Sequence, residues 1–302
     1  MFRVGLGKAG LFTDSRDMVM AWHSRFTGFE MGAGMSRSQP TMPDFGVPSP
    51  ARMYDYYLGG KDHFPADREA AERVIAAYPQ ARTLALANRR FLERAVKFLA
   101  GKGIRQFIDL GTGLPTSPNV HEVAQGIQQD ARVVYVDNDP VVTVHGRALC
   151  GQDDGVTVID GDIRQPEAVF TNSQLTDRID LSQPVALLCV AVLHFITEDE
   201  QPRKIVAALQ RQMVPGSYLV ISHVATDGAD KTIIDEITDA YLGATSPVVP
   251  RAGSAIRDLF NELDLAAPGL TDVARWRCTT PAKTGQIRVL GGVGRKRLRT
   301  RP

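Results

Sequence analysis

The segment Phe107-Ile-Asp-Leu-Gly-Thr-Gly-Leu-Pro-Thr-Ser-Pro118 sets an acid and two glycines directly after an apolar run. The run ends at Asp109, and Gly111 and Gly113 let the backbone turn sharply and bring its amides close to a ligand. Ser117 before Pro118 reads as an N-cap and first helical position. The predicted unit is therefore a strand, a glycine turn and a helix whose N-terminus can face a ligand. Thr116 stands where a dinucleotide fingerprint asks for a third glycine, so the G-x-G-x-x-G pattern fails in its last element. A second apolar run, Val133-Val-Tyr-Val-Asp137, ends in an acid 26 positions after Gly111. A carboxylate there can accept both hydroxyls of an adenosine ribose. A third run, Val156-Thr-Val-Ile-Asp-Gly-Asp162, brings Asp162 to a strand end, where it can accept from an adenine amine while Ile163 packs on the ring. Singly these are a tight turn and cap residues; at three successive strand ends, on the edge where open α/β sheets bind ligands, they point to a nucleotide-like ligand.

A second concentration of reactive side chains lies earlier. Tyr54, Tyr56, Tyr57, Lys61, Asp62, His63 and Phe64 surround Gly59-Gly60. This density suits a lid over the ligand, with the glycines as a hinge and Tyr54, Tyr57, Lys61 and His63 on the wall of a substrate pocket. The plainer alternative is a packed helical hairpin, in which Tyr54 with Leu58 and Tyr57 with Lys61 are i,i+4 pairs.

The elements that must position these residues follow from hydrophobic period. Residues 51–100 carry a helical pattern, with Leu84, Asn88, Phe91, Ala95 and Phe98 recurring every three or four positions before Gly101. Two or three helices thus precede the first strand. Strand-like runs follow at 106–110, 132–137, 156–160, 184–190 and 217–222, separated by lengths that suit crossover helices. The alternation implies an α/β fold with a Rossmann-like, mostly parallel, doubly wound sheet. Ile287–Val293, with Arg275–Thr279 as a weaker partner, is expected to add an antiparallel edge. The expected organisation is a poorly ordered extension over 1–45, a helical cap over 46–103, a core over 104–294 and a basic tail over 295–302. Six of eight methionines and no regular period fall in the first of these.

Composition bounds the function. The 302 residues carry a formal net charge of +1. Five cations sit in the last eight positions, so the body is mildly acidic and lacks a nucleic-acid footprint. The longest apolar run, Val185–Leu193, is far short of the ~20 residues of a membrane span, and no secretory signal is legible. The three cysteines form no C-x-x-C pair, which leaves no metal site or disulfide framework. A cytoplasmic protein acting on a small molecule is expected; nothing in the sequence indicates its oligomeric state.

Asp109-Leu-Gly-Thr-Gly113, Asp137 and Gly161-Asp162 resemble the successive motifs of class I S-adenosylmethionine-dependent methyltransferases. Pro50-Ala-Arg-Met-Tyr-Asp-Tyr-Tyr-Leu-Gly-Gly-Lys-Asp-His-Phe64, Ala87-Asn-Arg-Arg-Phe-Leu92, Tyr135-Val-Asp-Asn-Asp-Pro140, Val190-Ala-Val-Leu-His-Phe195 and Gly291-Gly-Val-Gly294 resemble, more narrowly, a bacterial S-adenosyl methyltransferase family once catalogued as a domain of unknown function. The resemblance implies a seven-stranded fold and S-adenosylmethionine as cofactor. It implies that the turn from Gly111 to Gly113, with Thr112, holds the methionine moiety, Asp137 the ribose and Asp162 the adenine, and that Asp109, Asn138, Ile163 and Val190 also bind the cofactor. Val190 to Phe195 would then face the methyl group. His194 is the titratable group of that stretch and can take a proton from an acceptor; its plainer role is to cap a helix or pack beneath the cofactor. Two other readings stay open: a non-enzymatic S-adenosylmethionine or nucleotide-binding regulator, and a nicotinamide-dependent dehydrogenase weakened by Thr116.

Overall fold

The computed structural model describes residues 44–151 and 153–297. Three helices come first: α1 (Pro50–Leu58), α2 (Pro65–Ala77) and α3 (Ala81–Gly101). Proline opens α1 and α2, where its missing N–H is no loss. Then follow β1 (Gln106–Leu110), α4 (Val120–Gln125), β2 (Arg132–Asp137), α5 (Pro140–Leu149), β3 (Val156–Asp160), α6 (Pro166–Phe170), α7 (Ser173–Thr176) and β4 (Ala186–Val190). A 3₁₀ turn at Leu193–Phe195 leads to α8 (Pro202–Gln212), β5 (Tyr218–Ala225), α9 (Lys231–Ala240), α10 (Gly253–Asp258), β6 (Leu263–Leu265), β7 (Thr271–Asp272) and β8 (Arg288–Lys296).

The sheet order is β3-β2-β1-β4-β5-β8-β6, with β7 paired to β8 off this path. Strands β1 to β5 are parallel; β8 runs antiparallel to β5 and pairs β6 and β7 on its other side. The chain winds outward from β1 to β3, then returns to place β4 on the opposite flank of β1. That reversal opens a crevice at the carboxyl ends of β1 and β4. Both faces of the sheet are covered, and strict alternation divides β1 between them: Phe107 joins the core beneath α3, while Ile108 and Leu110 join the opposite core. Asp109 shares the Phe107 face, so its carboxyl is aimed under the cap helices.

Several expectations are corrected. The helix after the glycine turn begins at Val120, not Pro118, because the Glu122 carboxylate accepts from the Asn119 amide and makes Asn119 the N-cap. Arg275–Thr279 is no strand. The Arg275 and Trp276 amides both donate to the Asp272 carbonyl (2.8 and 3.0 Å), and this turn drives Trp276 into the core against Phe91 and Phe98. The partners of β8 are β6 and β7 instead. The expected tail boundary at Gly294 also moves, since Arg295 pairs with Tyr218 and the Lys296 amide donates to Ser217 (2.8 Å). The rest of that tail, 298–302, and the expected extension as far as residue 43 lie outside the described residues. Phe45, expected within the extension, stacks on Phe64 (4.3 Å).

Candidate functional site

A cavity of about 240 Å³ lies at the carboxyl edge of the sheet, floored by the ends of β1 to β5 and roofed by α1 to α3 and α9. Asp109, Gly111, Thr112, Gly113, Asp137, Asn138, Asp162, Ile163, Val190 and His194 all line it, and so do Tyr54 and Tyr57. Lys61 and His63 do not. The Lys61 side chain is 72% exposed beside Asp62, and the His63 ring bonds Asp55 (2.9 Å) and stacks edgewise on Tyr56.

The glycine turn has two different constraints. Gly111 and Gly113 both sit in the left-handed region, at φ +71° and +68°. A Cβ on Gly111 would fall 2.4 Å from Val192, whereas one on Gly113 would meet nothing within 4 Å. The first glycine is therefore needed for packing, and the second, which lines the cavity, leaves open space where a Cβ would stand. The Gly111 amide donates to the Val136 carbonyl (2.8 Å), tying the turn to the neighbouring strand.

Asp137 accepts from the Gly113 amide on Oδ2 and from the Asp139 amide on Oδ1, both at 2.9 Å. Each oxygen retains a lone pair for a ligand hydroxyl. Burial pushes its carboxyl up to about 7, against these amide bonds, and the nearby Asp139 and Asp109 charges add to the rise. Burial likewise pushes Asp109 up to about 6, opposed by its bond from Thr112 Oγ1 (3.0 Å) and by Arg89. Two buried carboxylates held near neutrality at one sheet edge are a candidate site on electrostatic grounds.

Asp162 lies two residues beyond the end of β3, not at it. Arg164 bonds both its oxygens (2.7–2.9 Å) and reaches Glu200 (2.9 Å), while Asn138 adds a 3.3 Å bond. These partners hold Asp162 below its usual range despite partial burial. The carboxylate expected to meet an adenine amine is thus already forked by an arginine, and Ile163, buried beside it, supplies the apolar surface.

At the end of β4, Ala191 adopts φ +56°, a strained conformation for a residue with a Cβ. It is held by a chain of hydrogen bonds. The Ala191 amide donates to Ser222 Oγ (2.9 Å), which donates to Asn88 Oδ1 (2.7 Å); Asn88 Nδ2 donates to Tyr54 Oη (2.9 Å), which donates to the Ala85 carbonyl (3.0 Å). Strand, cap helix and cavity wall are coupled in this way.

His194 is buried, and its Nδ1 has no hydrogen-bond partner among the described residues. Burial lowers its pKa well below the usual value, with the His223 and Arg251 charges acting in the same direction. The expected role as a helix cap is not seen: the helix that follows, α8, starts at Pro202. Arg251 donates to the carbonyls of Leu193 (2.9 Å) and Ile196 (2.7 Å), pairs with Glu198 (2.8 Å) and meets His223 Nε2 (2.8 Å). One buried guanidinium therefore holds the loop that presents His194.

Gly59-Gly60 is no hinge. Gly59 is the left-handed cap of α1, and a Cβ on Gly60 would fall 1.9 Å from the Asp55 carboxylate, which also binds the Asp62 amide (2.9 Å) and His63. The segment is a locked turn in a packed cap, although Tyr54 and Tyr57 do form cavity wall as expected.

Sequence reasoning passed over Arg89, Ser222, Tyr241 and Arg251. Arg89 lines the cavity and donates to the carbonyls of Thr116 and Pro118 (2.8 Å to the latter), putting a cation beside the glycine turn. Its signal was the Asn-Arg-Arg stretch after Ala87. Arg251 sits in an irregular loop with no local pattern to mark it. Among the described residues no group of three His, Cys, Asp or Glu side chains is placed to hold a metal ion, and no helix is long and apolar enough to cross a membrane.

Comparison with known proteins places these features in context. A family model described as S-adenosyl methyltransferase matches residues 36–297. The crystal structure of a candidate methyltransferase from Thermobifida fusca is 38% identical, with a TM-score of 0.80, covering 84% of this chain and 97% of that one. A DUF574-family protein from Streptomyces avermitilis is 35% identical, with a TM-score of 0.79, covering 84% and 99%. None of the curated proteins matches the chain.

Proposed function

We propose that this chain, which belongs to the S-adenosyl methyltransferase family, binds S-adenosylmethionine over the ends of β1 to β3 and methylates a small-molecule acceptor held beneath the helical cap. The observation that carries this reading is the buried Asp137 carboxylate, fixed by two backbone amides beside the open face of Gly113. That pair fits the cofactor: the carboxylate can take two ribose hydroxyls, and the glycine lets the methionine portion lie against the turn. Arg89 supplies a counter-charge at the turn. Ile163 and the apolar edge of β4 offer the adenine a surface.

When bound, S-adenosylmethionine supplies a methyl group already activated by its positive sulfur. The chain's own contribution is then alignment and exclusion of water, effects worth roughly 7–11 kcal/mol in well-oriented systems. The roof of α1 to α3 performs the exclusion, and its aromatic rings suit a neighbouring cation. His194, whose burial disfavours the imidazolium, is suited to accept a hydrogen bond from the acceptor and orient it rather than to hold its proton.

Calorimetry with S-adenosylmethionine or S-adenosylhomocysteine tests the reading. Saturable binding is expected, with Asp137→Ala losing roughly 1–3 kcal/mol as charge-assisted hydrogen bonds disappear. Binding of NADH with no response to either compound overturns it.

A pH dependence follows from the raised Asp137 carboxyl. Ribose hydroxyls donate to the ionised form, so binding lowers its pKa and releases a proton near pH 7, where the free protein holds part of one. Affinity is expected to fall on acidification below about pH 7, by up to about tenfold per unit. The heat of binding at pH 6.5 should vary with buffer ionisation enthalpy in the sense of proton release; Asp137→Asn should abolish that variation.

A further inference from the structure

The cavity is chemically divided. Among the described residues, every aspartate and arginine that lines it, namely Arg89, Asp109, Asp137, Asp139, Asp162 and Arg164, belongs to the β1–β3 end or, for Arg89, bonds the glycine turn there. The other compartment lies over β4, β5 and β8. It is lined by Tyr57, Phe195, Val224, Ile237, Tyr241 and Val289. These form one wall: Val224 and Val289 pair across β5 and β8, Phe195 lies 5.7 Å from Tyr241, and the Tyr241 hydroxyl is 3.4 Å from that of Tyr57.

The tyrosine hydroxyls of this compartment are already engaged, whereas the Thr245 and Ser246 hydroxyls at its rim and the His194 ring have no side-chain hydrogen bond among the described residues. Tyr54 bonds Asn88 and Ala85, Tyr78 bonds Thr284 and Ile287, and Tyr57 bonds Tyr241. Of the three groups without such a bond, the His194 ring is the buried one, packed edgewise on Phe195 (4.4 Å) and lacking a partner at Nδ1. From this we infer that the acceptor is an uncharged, largely apolar, ring-containing molecule that presents a hydroxyl to His194.

The physical reason is desolvation. A carboxylate or ammonium taken into this compartment loses its water and finds no counter-charge, since the charged groups are gathered at the other end. His194 does not supply one: Arg251 and His223 behind it oppose a second positive charge, so its imidazole stays neutral. A hydroxyl both donates and accepts, and therefore pairs with neutral imidazole in either tautomer. Aromatic rings on the walls favour an aromatic acceptor through offset or edge contacts.

This inference deepens the methyltransferase reading and rests on it, so the test separates the two. The full chain is titrated with 2-naphthol, 2-naphthoate, 2-naphthylmethylammonium and 2-methylnaphthalene at pH 7.5, each with and without S-adenosylhomocysteine. The neutral phenol is expected to bind at least about tenfold tighter than either charged analogue and several-fold tighter than the methyl compound. His194→Phe should erase the preference for the phenol over 2-methylnaphthalene while leaving S-adenosylhomocysteine affinity and urea unfolding close to wild type. Equal or tighter binding of a charged probe, or binding of none, overturns the acceptor class even where S-adenosylhomocysteine binds. Failure of S-adenosylhomocysteine alone overturns the cofactor reading, and the probe series without it still scores the compartment.

Discussion

Replacing Arg52 with Met is expected to lower stability by about 3–5 kcal/mol, measured by urea unfolding. Arg52 is 2% exposed, and its Nε lies 2.9 Å from the fully buried Asp67 carboxylate. Its other nitrogens reach the Val47 carbonyl (2.7 Å) and Asp139 (3.5 Å). Asp67 in turn accepts from the amides of Ser49 and Phe64 (both 2.8 Å), so one carboxylate ties together the entry to α1, the α1–α2 turn and, through Arg52, the loop after β2. Removing the guanidinium leaves that carboxylate buried without its cation, which is why the loss far exceeds that of an exposed pair. Asp67→Asn in the same protein should restore part of the stability, because the uncompensated charge is then gone. A single-variant loss below about 1 kcal/mol would contradict this account. Since Ser49 Oγ also binds Asp139 (2.6 Å), next to Asp137, cofactor affinity per folded molecule should weaken as well.

The second large effect separates two glycines of nearly equal positive φ. An alanine at either Gly111 or Gly113 is placed in the left-handed region, at a cost of about 1–2 kcal/mol. Gly111→Ala adds a clash with Val192, whose branched side chain is itself buried in part against the core, and overpacking of this kind costs a further 1–3 kcal/mol or so. Gly111→Ala is therefore expected to destabilise the fold by about 2–5 kcal/mol. Gly113→Ala should stay near the lower figure and yet lose most of its affinity for S-adenosylhomocysteine, because its methyl fills the space a ligand needs. Urea unfolding and calorimetry on both variants check the pair. Equal destabilisation by the two, with affinity retained in Gly113→Ala, would show that the turn is a structural bend and nothing more.

The turn was legible because its chemistry is local. An apolar run, an acid and two glycines within seven residues are enough to specify a strand, a sharp turn and a close approach, and the strands at 106–110, 132–137 and 156–160 carry their own hydrophobic period. The same locality explains the errors. Ser117-Pro118 has the composition of a helix start, but the reciprocal contact of Asn119 and Glu122 decides the boundary two residues later. Arg275–Thr279 has strand-like residues, yet the need to bury Trp276 against Phe91 and Phe98 turns it into a loop. Lys61 and His63 stand beside Tyr54 and Tyr57 in the chain, but a helix turns 100° per residue and the following turn is locked by Asp55, so only the tyrosines face the cavity.

By itself, then, the sequence determined the doubly wound class and the placing of Asp109, Gly111 and Gly113 at the end of β1 and in the turn after it, and of Asp137 at the end of β2, where all four line the carboxyl-edge cavity. Tertiary structure alone decided what the rest of the cavity is. Asn88 on α3, Ser222 on β5, Tyr241 at the cap of α9 and Arg251 in a loop lie up to 163 positions apart along the chain, and no period links them. Folding brings them together because the sheet places β4 between β1 and β5, and because buried polar groups must find partners wherever the packing offers them. The neutrality of His194, the strain at Ala191 and the separation of charged from apolar walls arise from that juxtaposition. They are properties of distance and burial, which no stretch of one-dimensional sequence contains.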